Sequence, residues 1–322
     1  MHHAAVRAAV LHRFNAPLVL EEWPEPSAHH DDVIVRVRGA GVCHTDVHLV
    51  AGRWPQIKLP LVLGHEIAGE VEGLGAVLVY ASWGCGECEQ CLAGEEQLCP
   101  SAAEAGWVED GGYAELVRVP SERYLFPLAG IDPVQAAPLA DAGITPYRAV
   151  RRIRSFLGRG ARAIVIGCGG LGQFAIQYLK LLTDSYVLAV DSAAGKRERA
   201  LALGADASVS PEELEERAEA VLDFVGADET LATAARLVKP KGVVVQVGEA
   251  AGTLQFALGH VPHEALFTTS IWGSLKDMAA VVELAARGEL VWQVETLPLE
   301  QANEALERVR RGDLAGRLVL TP

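Results

Sequence analysis

One segment, GARAIVIGCGGLGQFAIQYLKLL, restricts the fold more than any other part of the sequence. Apolar residues from Ala163 to Ile166 predict a buried strand, and the apolar residues that follow Gly172 recur at helical spacing. Between them, Gly167, Gly169 and Gly172 allow the backbone to approach a pyrophosphate at a helix N-terminus. Strand, G-x-G-x-x-G and helix in this order predict a dinucleotide-binding unit.

A second strand supports this interpretation, because YVLAVD ends at Asp191, nineteen residues after the last glycine of the motif. A carboxylate there accepts hydrogen bonds from ribose hydroxyls and repels the extra phosphate of NADP, so NAD is predicted. The alternative is a glycine-rich turn with a surface acid. The later segments AVLDFVG and GVVVQVG alternate with the helical stretch ADETLATAARLVK, which predicts a doubly wound parallel sheet.

Four of the six cysteines lie within fifteen residues, in the pattern C-x2-C-x2-C-x7-C. Thiolates at this spacing can surround one zinc ion tetrahedrally, and a closed all-cysteine site leaves no position for substrate. We therefore expect a structural zinc; a metal-free turn and an iron–sulfur cluster remain alternatives. The ligands would be Cys85, Cys88, Cys91 and Cys99.

Composition narrows the classes of partner. The chain has 322 residues, enough for two domains, and a formal net charge of -14, which disfavours nucleic acid and anionic membranes as partners. It has no apolar run long enough to span a membrane and no secretory signal pattern at its start. We expect a cytoplasmic protein that acts on a small molecule.

A second cluster of metal-binding residue types lies upstream, in GAGVCHTDVHLVAGRWPQIKLPLVLGHEIAGEV. Cys43 and His65 alone would be a buried thiol and a core histidine, but polar groups accompany them. These groups are Thr45, Asp46, His48 and Glu66. The set fits an open catalytic zinc site, with Asp46 accepting the free N–H of the ligating histidine.

GHE, the four-cysteine segment, GCGGLG and the closing GRLVL stand in the order typical of zinc-dependent medium-chain alcohol dehydrogenases, which the chain resembles over essentially its whole length. The resemblance implies an α/β fold. A GroES-like β-rich catalytic domain would comprise residues 1–139 and 290–322, with the structural zinc lobe at 85–99. A Rossmann NAD-binding domain would comprise residues 140–289.

The resemblance makes Cys43 and His65 zinc ligands and places Asp141, in APLADAGITPYRA, where the family usually has a cysteine. Aspartate also binds zinc and keeps the charge of a thiolate; as a harder ligand it leads us to hypothesise a stronger Lewis acid. Alternatively, Asp141 caps the following helix and zinc takes Glu66.

Other roles also follow from the resemblance. Thr45 would take the alcohol proton, His48 would end the proton relay, and Trp54 would line the substrate pocket. The implied cofactor contacts are His44 to a phosphate, Thr145 and Leu171 beside the nicotinamide, Lys196 and Asp191 at the ribose, and Arg317 at the pyrophosphate, besides Gly167, Gly169 and Gly172.

The implied activity is zinc-dependent, NAD(H)-linked interconversion of primary or secondary alcohols with aldehydes or ketones. Two zinc ions per chain and a homo-oligomer, dimer or tetramer, are implied with it. Trp54, Trp83 and Trp272 favour a bulky apolar pocket. Polyol or threonine dehydrogenases, a zinc-free quinone reductase of the same fold, and a disabled zinc- and dinucleotide-binding protein are the alternatives.

The chain departs from the family at two connections. Only VLVYAS stands between GHEIAGEVEGLGA and WGCG, where the family has a longer link with a GD-V turn, and SVSPEELEERAEAVLDFVG is also short. Surface loops tolerate such changes, although the first could remove a turn or strand edge.

Overall fold

The computed structural model describes residues 5–312 and 314–322, which form two compact units. The first contains the described residues up to Asp141, Ser274–Glu289 and Gln293–Pro322; the second contains Ala142–Gly273 and Leu290–Trp292. Among the described residues, no helix combines the length and apolarity needed to cross a membrane.

The strands are β1 Ala5–Leu11, β2 Val19–Pro24, β3 Val33–Val42, β4 Leu61–Val62, β5 Glu66–Val71, β6 Gly75–Val79, β7 Ser82–Trp83, β8 Ala103–Glu104, β9 Leu116–Val119, β10 Leu125–Pro127, β11 Arg162–Ile166, β12 Tyr186–Val190, β13 Ala207–Val209, β14 Ala218–Asp223, β15 Val238–Gln246, β16 Leu266–Thr269, β17 Val294–Pro298 and β18 Arg317–Thr321. The α-helices are α1 His44–Val50, α2 Glu89–Leu92, α3 Pro133–Ala136, α4 Ile144–Ile153, α5 Gly172–Leu182, α6 Ala194–Ala202, α7 Asp228–Leu237, α8 Leu275–Ala286 and α9 Ala302–Arg311. Single 3-10 turns lie at Glu96–Leu98, Glu122–Tyr124, Ala137–Ala140, Arg154–Phe156, Pro211–Glu213 and Leu299–Gln301.

The first unit is built on a mixed sheet in the order β10-β6-β5-β3-β18-β17, with β9 also paired to β3. Strand β3 shows why its sequence forms a half-buried strand: Val35 and Val37 point into the core, while Arg36 and Arg38 alternate with them on the outer face. A three-stranded sheet, β2-β1-β4, and a two-stranded sheet, β7-β8, also belong to this β-rich unit. The predicted β-rich catalytic part is therefore confirmed.

The first shortened connection leaves the strands of this sheet in place. Strands β5 and β6 form a tight antiparallel hairpin in which Val71 pairs with Gly75, and β6 also pairs with β10. The turn between them has a left-handed glycine at Gly73, which lets so short a loop close. The connection itself, VLVYAS, runs from β6 to the start of β7 and is completely buried.

The second unit is a fully parallel sheet in the order β13-β12-β11-β14-β15-β16, which confirms the predicted doubly wound fold. Its core lies between the sheet and the helices, where residues such as Ile164, Leu188, Val221 and Val244 are buried. The second short connection, between β13 and β14, contains the single turn Pro211–Glu213, whose first backbone groups are capped by Ser210 and Glu213.

Helix α8 belongs to a different unit from the one expected. Residues 140–289 were expected to form one domain, but Ser274–Glu289 belongs to the first unit. The buried face of α8, which includes Met278 and Val281, packs near β10 and the turn Ala137–Ala140. Periodicity indicates which face of a helix is apolar, but it does not indicate which domain covers that face.

Candidate active site and metal centres

The four clustered cysteines form one group, here called the cysteine lobe (residues 85–99). Their Sγ atoms all lie within 4.8 Å of one another, and each cysteine is a free thiol. The lobe is folded locally: the one-turn helix α2 begins after Cys88, and the backbone N–H groups of Cys85 and Ser101 donate to Cys99 Sγ at 3.4 Å. Sequence spacing alone therefore brings all four thiols together.

The geometry and electrostatics of the lobe fit a metal ion. Tetrahedral zinc with sulfur ligands at about 2.3 Å separates the sulfurs by about 3.8 Å, and Cys85 Sγ and Cys91 Sγ are 3.9 Å apart. Backbone N–H groups of Glu87 and Cys88 lower the pKa of Cys85 to about 7. Burial raises the pKa of Cys91 to about 12, so its thiolate needs a cation beside it.

The second group, here called the catalytic cluster, consists of Cys43, His65, Glu66 and Asp141. One donor atom from each lies within 4.8 Å of the others. Cys43 follows β3 as the N-cap of α1, Glu66 begins the neighbouring strand β5, and Asp141 follows the turn Ala137–Ala140. Sheet pairing between β3 and β5 thus brings distant segments together.

Donor distances in the catalytic cluster also fit zinc. Cys43 Sγ donates to Asp141 Oδ2 at 3.5 Å, and His65 Nε2 lies 3.7 Å from the same oxygen. Zinc with mixed sulfur, nitrogen and oxygen ligands in a tetrahedron separates them by about 3.3–3.6 Å. Gly143, not Asp141, is the N-cap residue of α4, and it has no side-chain capping bond. The choice between Asp141 and Glu66 as the third ligand stays a prediction.

His65 lies beside Asp46, the expected acceptor of its free N–H. Its Nδ1 lies 3.4 Å from Asp46 Oδ1, which leaves Nε2 directed toward Asp141. Burial alone would lower the pKa of His65, but the charge of Asp46 and hydrogen bonds to Asp141, Asp46 and Cys43 raise it well above its ordinary value. The cluster therefore attracts positive charge, as a cation site requires.

Two buried residues join this network without having been linked to it from the sequence. Tyr113 donates its hydroxyl to Asp46 Oδ2 at 2.9 Å, and Arg317 donates to Glu66 Oε1. Burial raises the pKa of Glu66 to about 7 although the guanidinium of Arg317 opposes that shift. Tyr113 follows two glycines in the sequence, and nothing in that pattern indicates a contact with Asp46.

Arg317 lies at the start of β18 and is buried. Its guanidinium also donates to Val42 O at 3.2 Å, while its Nε has no hydrogen-bond partner among the described residues. The expected contact with a pyrophosphate stays a prediction, and this remaining donor is compatible with it.

Thr45 and His48 lie one helical turn apart on α1, as a relay requires. Thr45 Oγ1 is 3.7 Å from Cys43 Sγ. His48 is half-buried, and its Nδ1 has no hydrogen-bond partner in the described part of the chain. Burial, and then the charge of Arg53, lowers the pKa of His48, which keeps the imidazole neutral and able to accept a proton.

Two tryptophans, Trp54 and Trp107, lie near His48 and are here called the aromatic wall. The ring centroids of the two tryptophans are 4.2 Å apart, and the ring of His48 is 6.2 Å from that of Trp54. Trp107 was not identified from the sequence, since no motif marks it. Trp83, expected in this pocket, is instead buried beside Tyr124, with its indole N–H donating to the backbone carbonyl of Tyr80.

The glycine motif forms the turn between β11 and α5. A side chain at Gly172 would place Cβ 1.9 Å from Gly167 O, so this turn requires glycine. At Gly169 a Cβ would meet no atom within 4 Å, which leaves the loop open to a ligand. Asp191 accepts from the backbone N–H groups of Cys168 and Ala193, both at 2.9 Å, and so lies against this loop.

The remaining predicted cofactor residues lie on four helices or their caps. Thr145 is buried in α4, and Leu171 is the N-cap residue of α5. Lys196 lies in α6, and His44 is exposed at the first position of α1. Their contacts with a dinucleotide stay predictions.

Comparison with known proteins agrees with this geometry. Residues 29–130 match the alcohol dehydrogenase GroES-like domain, and residues 170–287 match the zinc-binding dehydrogenase family. The chain is 36% identical to an NAD-dependent alcohol dehydrogenase of Sulfolobus acidocaldarius, over 98% of this chain and 99% of the relative. It is 32% identical to a D-arabinose 1-dehydrogenase (NADP(+)) of Saccharolobus solfataricus, over 98% of this chain and 97% of the relative.

Among solved structures, an alcohol dehydrogenase from Aeropyrum pernix superposes with a TM-score of 0.92 at 36% sequence identity. That comparison covers 98% of this chain and all of the other. The sequence comparison and the structural superposition therefore both identify alcohol dehydrogenases as proteins that this chain resembles.

Proposed function

This chain belongs to the zinc-dependent medium-chain alcohol dehydrogenase family, and we propose that Cys43, His65 and Asp141 hold the zinc of its reaction. The chain is an NAD(H)-linked oxidoreductase that interconverts alcohols with aldehydes or ketones. One observation carries the assignment of the site. The donor atoms of these residues converge in a buried cluster, and Asp46 lies against the far nitrogen of His65.

Zinc bound at these ligands would supply a Lewis acid for the substrate oxygen, and bound NAD would supply the hydride acceptor. The chain itself has to remove the alcohol proton. Thr45 accepts it at Oγ1 and passes it toward His48, whose Nδ1 faces no other acceptor or donor in the described residues. A lowered pKa keeps His48 in the neutral form that this step requires.

Two features, one in the glycine motif and one directly after β12, support the binding of NAD. Open space at Gly169 can admit a pyrophosphate at the N-terminus of α5, and Asp191 offers a carboxylate for the ribose hydroxyls. Negative charge at Asp191 repels the additional phosphate of NADP, so we expect NAD to be preferred.

The substrate class that the aromatic wall favours is an apolar primary or secondary alcohol. Trp54 and Trp107 offer two adjacent ring faces, which stabilise alkyl or aryl groups better than hydroxyl groups. A sugar is the second candidate, because one relative is a D-arabinose 1-dehydrogenase.

Zinc content, assembly and location complete the proposal. The cysteine lobe would hold a second, structural zinc, so that each chain carries two ions of unequal lability. We propose a homo-oligomer, dimer or tetramer, and a cytoplasmic location, where the described cysteines would stay reduced.

The test is elemental analysis of the metal before and after brief chelation, with NAD-linked oxidation of 2-propanol, a longer-chain alcohol and D-arabinose followed in parallel. We expect two zinc ions, and loss of turnover as the more labile one leaves. One tightly held zinc without turnover on any of these substrates would overturn the proposal.

A further inference from the structure

Tyr113 is buried completely, and its hydroxyl contacts Asp46, the residue that lies against His65 of the catalytic cluster. Its hydroxyl donates to Asp46 Oδ2 at 2.9 Å, and the backbone N–H of Cys43 donates to the same oxygen at 2.9 Å. The other oxygen, Oδ1, lies 3.4 Å from His65 Nδ1. Two donors on one oxygen thus leave the second oxygen for the histidine.

The position of the Tyr113 ring is tied to the backbone that carries His65. Gly64 has a φ of +95°, and a Cβ there would come within 2.4 Å of the tyrosine ring. Tyr113 N donates to Leu63 O at 2.9 Å, and Gly112 N donates to Gly64 O at 2.8 Å. Tyr113 and His65 therefore lie on two segments that are joined by backbone hydrogen bonds.

We infer that Tyr113 is a positioning residue of the catalytic zinc site, which acts by fixing the carboxylate of Asp46. Held by Tyr113 and by the backbone of Cys43, this carboxylate keeps Oδ1, which has no hydrogen-bond partner among the described residues, within 3.4 Å of His65 Nδ1. A proton on Nδ1 is favoured there, which selects the tautomer whose Nε2 is free to bind metal. The inference rests on the proposed function of the cluster.

The phenol is suited to this task because it remains a donor. Burial, and then the negative charge of Asp46, raises the pKa of Tyr113 well above its ordinary value. Phenylalanine at this position would keep the ring against Gly64 while leaving Asp46 Oδ2 with the Cys43 backbone donor. Asp46 could then rotate, and His65 would lose its fixed orientation.

Tyr80 offers a matched control. It is also completely buried in the first unit, and its hydroxyl donates to Gln97 at 3.5 Å, near the cysteine lobe. Tyr113→Phe and Tyr80→Phe therefore remove the same group from comparable surroundings. Any general loss of stability should be similar in both variants.

The experiment replaces the labile metal with cobalt and records the visible d–d absorption and the rate of metal loss to a chelator. In Tyr113→Phe we expect altered bands and a labile metal that leaves about tenfold faster, since partners of metal ligands typically change affinity by about 10–100-fold. In Tyr80→Phe both properties should match those of the unaltered protein.

Identical spectra and release rates in the two variants would overturn the inference. Failure of the proposed function has a different signature, because it is seen in the unaltered protein: no labile metal would exchange for cobalt, or its removal would leave turnover unchanged. A cobalt-loaded, active parent protein with an unaltered Tyr113→Phe variant would reject Tyr113 alone.

Discussion

The cysteine lobe and the catalytic cluster are both groups of four donors within 4.8 Å in the same unit, yet they are assembled differently. The lobe comes from fifteen consecutive residues and offers only thiols. The cluster joins Cys43 to Asp141, 98 residues apart, and mixes sulfur, nitrogen and oxygen donors. One site is specified by local spacing, the other by the pairing of strands.

The two sites also differ in how deeply their polar groups are buried. Cys85 is exposed, whereas Asp46 and Glu66 in the catalytic site are completely buried. Buried charges are costly unless they are paired, and here Arg317 and His65 are the partners. A closed all-thiolate site can stiffen a loop, while a mixed site with a neighbouring proton relay can support chemistry.

The contrast between the cysteine lobe and the catalytic cluster is tested most strongly by Asp141→Asn. This change keeps the shape of the side chain and removes its charge. We expect the labile zinc to be lost and kcat/KM for alcohol oxidation to fall about 10³-fold, ~4 kcal/mol in transition-state stabilisation. Steady-state NADH formation measures kcat/KM, and elemental analysis measures the zinc content. The zinc of the cysteine lobe should remain.

Asp132→Asn is the matched control, since Asp132 caps α3 in the same unit, with Gln135 N–H donating to its carboxylate at 3.1 Å. It should keep both zinc ions and its turnover. If Asp141→Asn retained them as well, Asp141 would not be the third ligand, and Glu66 would take its place.

The contrast also explains what the sequence could predict. The grouping of all four cysteines of the lobe follows from their spacing, and Cys43 and His65 were identified from the polar residues around each. Asp141 could be identified only through family resemblance, because its partner is 98 residues away. Tyr113, Trp107 and the pairing of Arg317 with Glu66 depend on how strands and loops pack, which no local pattern records.

For the fold, too, local features could be predicted from the sequence and tertiary contacts could not. Strand β11, the glycine turn and α5 were predicted almost to the residue, because short apolar strands and glycine turns have strong local signatures. Helix α8 is grouped with the first unit, which its periodicity does not indicate, because an apolar face can be covered by either unit. Tertiary partners, rather than element types, were the missing information.

A smaller effect is expected from Cys91→Ser in the cysteine lobe. Loss of one of four thiolates should release the structural zinc and lower the free energy of unfolding by about 2–4 kcal/mol. Below the melting temperature, the labile zinc and NAD-linked turnover should persist. Metal content, thermal unfolding and hydrogen exchange across residues 84–100 would measure this.

Cys168→Ser serves as its control, because Cys168 is also a buried free thiol but lies in the glycine motif, outside both donor groups. That variant should keep two zinc ions. Simultaneous loss of turnover and of the labile zinc in Cys91→Ser would show that the two sites are not independent and would remove the distinction between them.

The smallest predicted effect concerns the proton relay that only the catalytic cluster has. Arg53→Gln removes a positive charge that lowers the pKa of His48, so that pKa should rise. Oxidation needs the neutral imidazole, and the acid limb of kcat/KM should therefore move to higher pH, by about 0.2–0.5 unit for a partly exposed charge. Arg38→Gln, which also removes an exposed guanidinium, one paired with Glu70, should leave the limb in place. The shift should shrink at high salt, because screening weakens the interaction of Arg53 with His48. An acid limb that stayed at the same pH in Arg53→Gln would show that His48 is not the group whose titration limits the reaction.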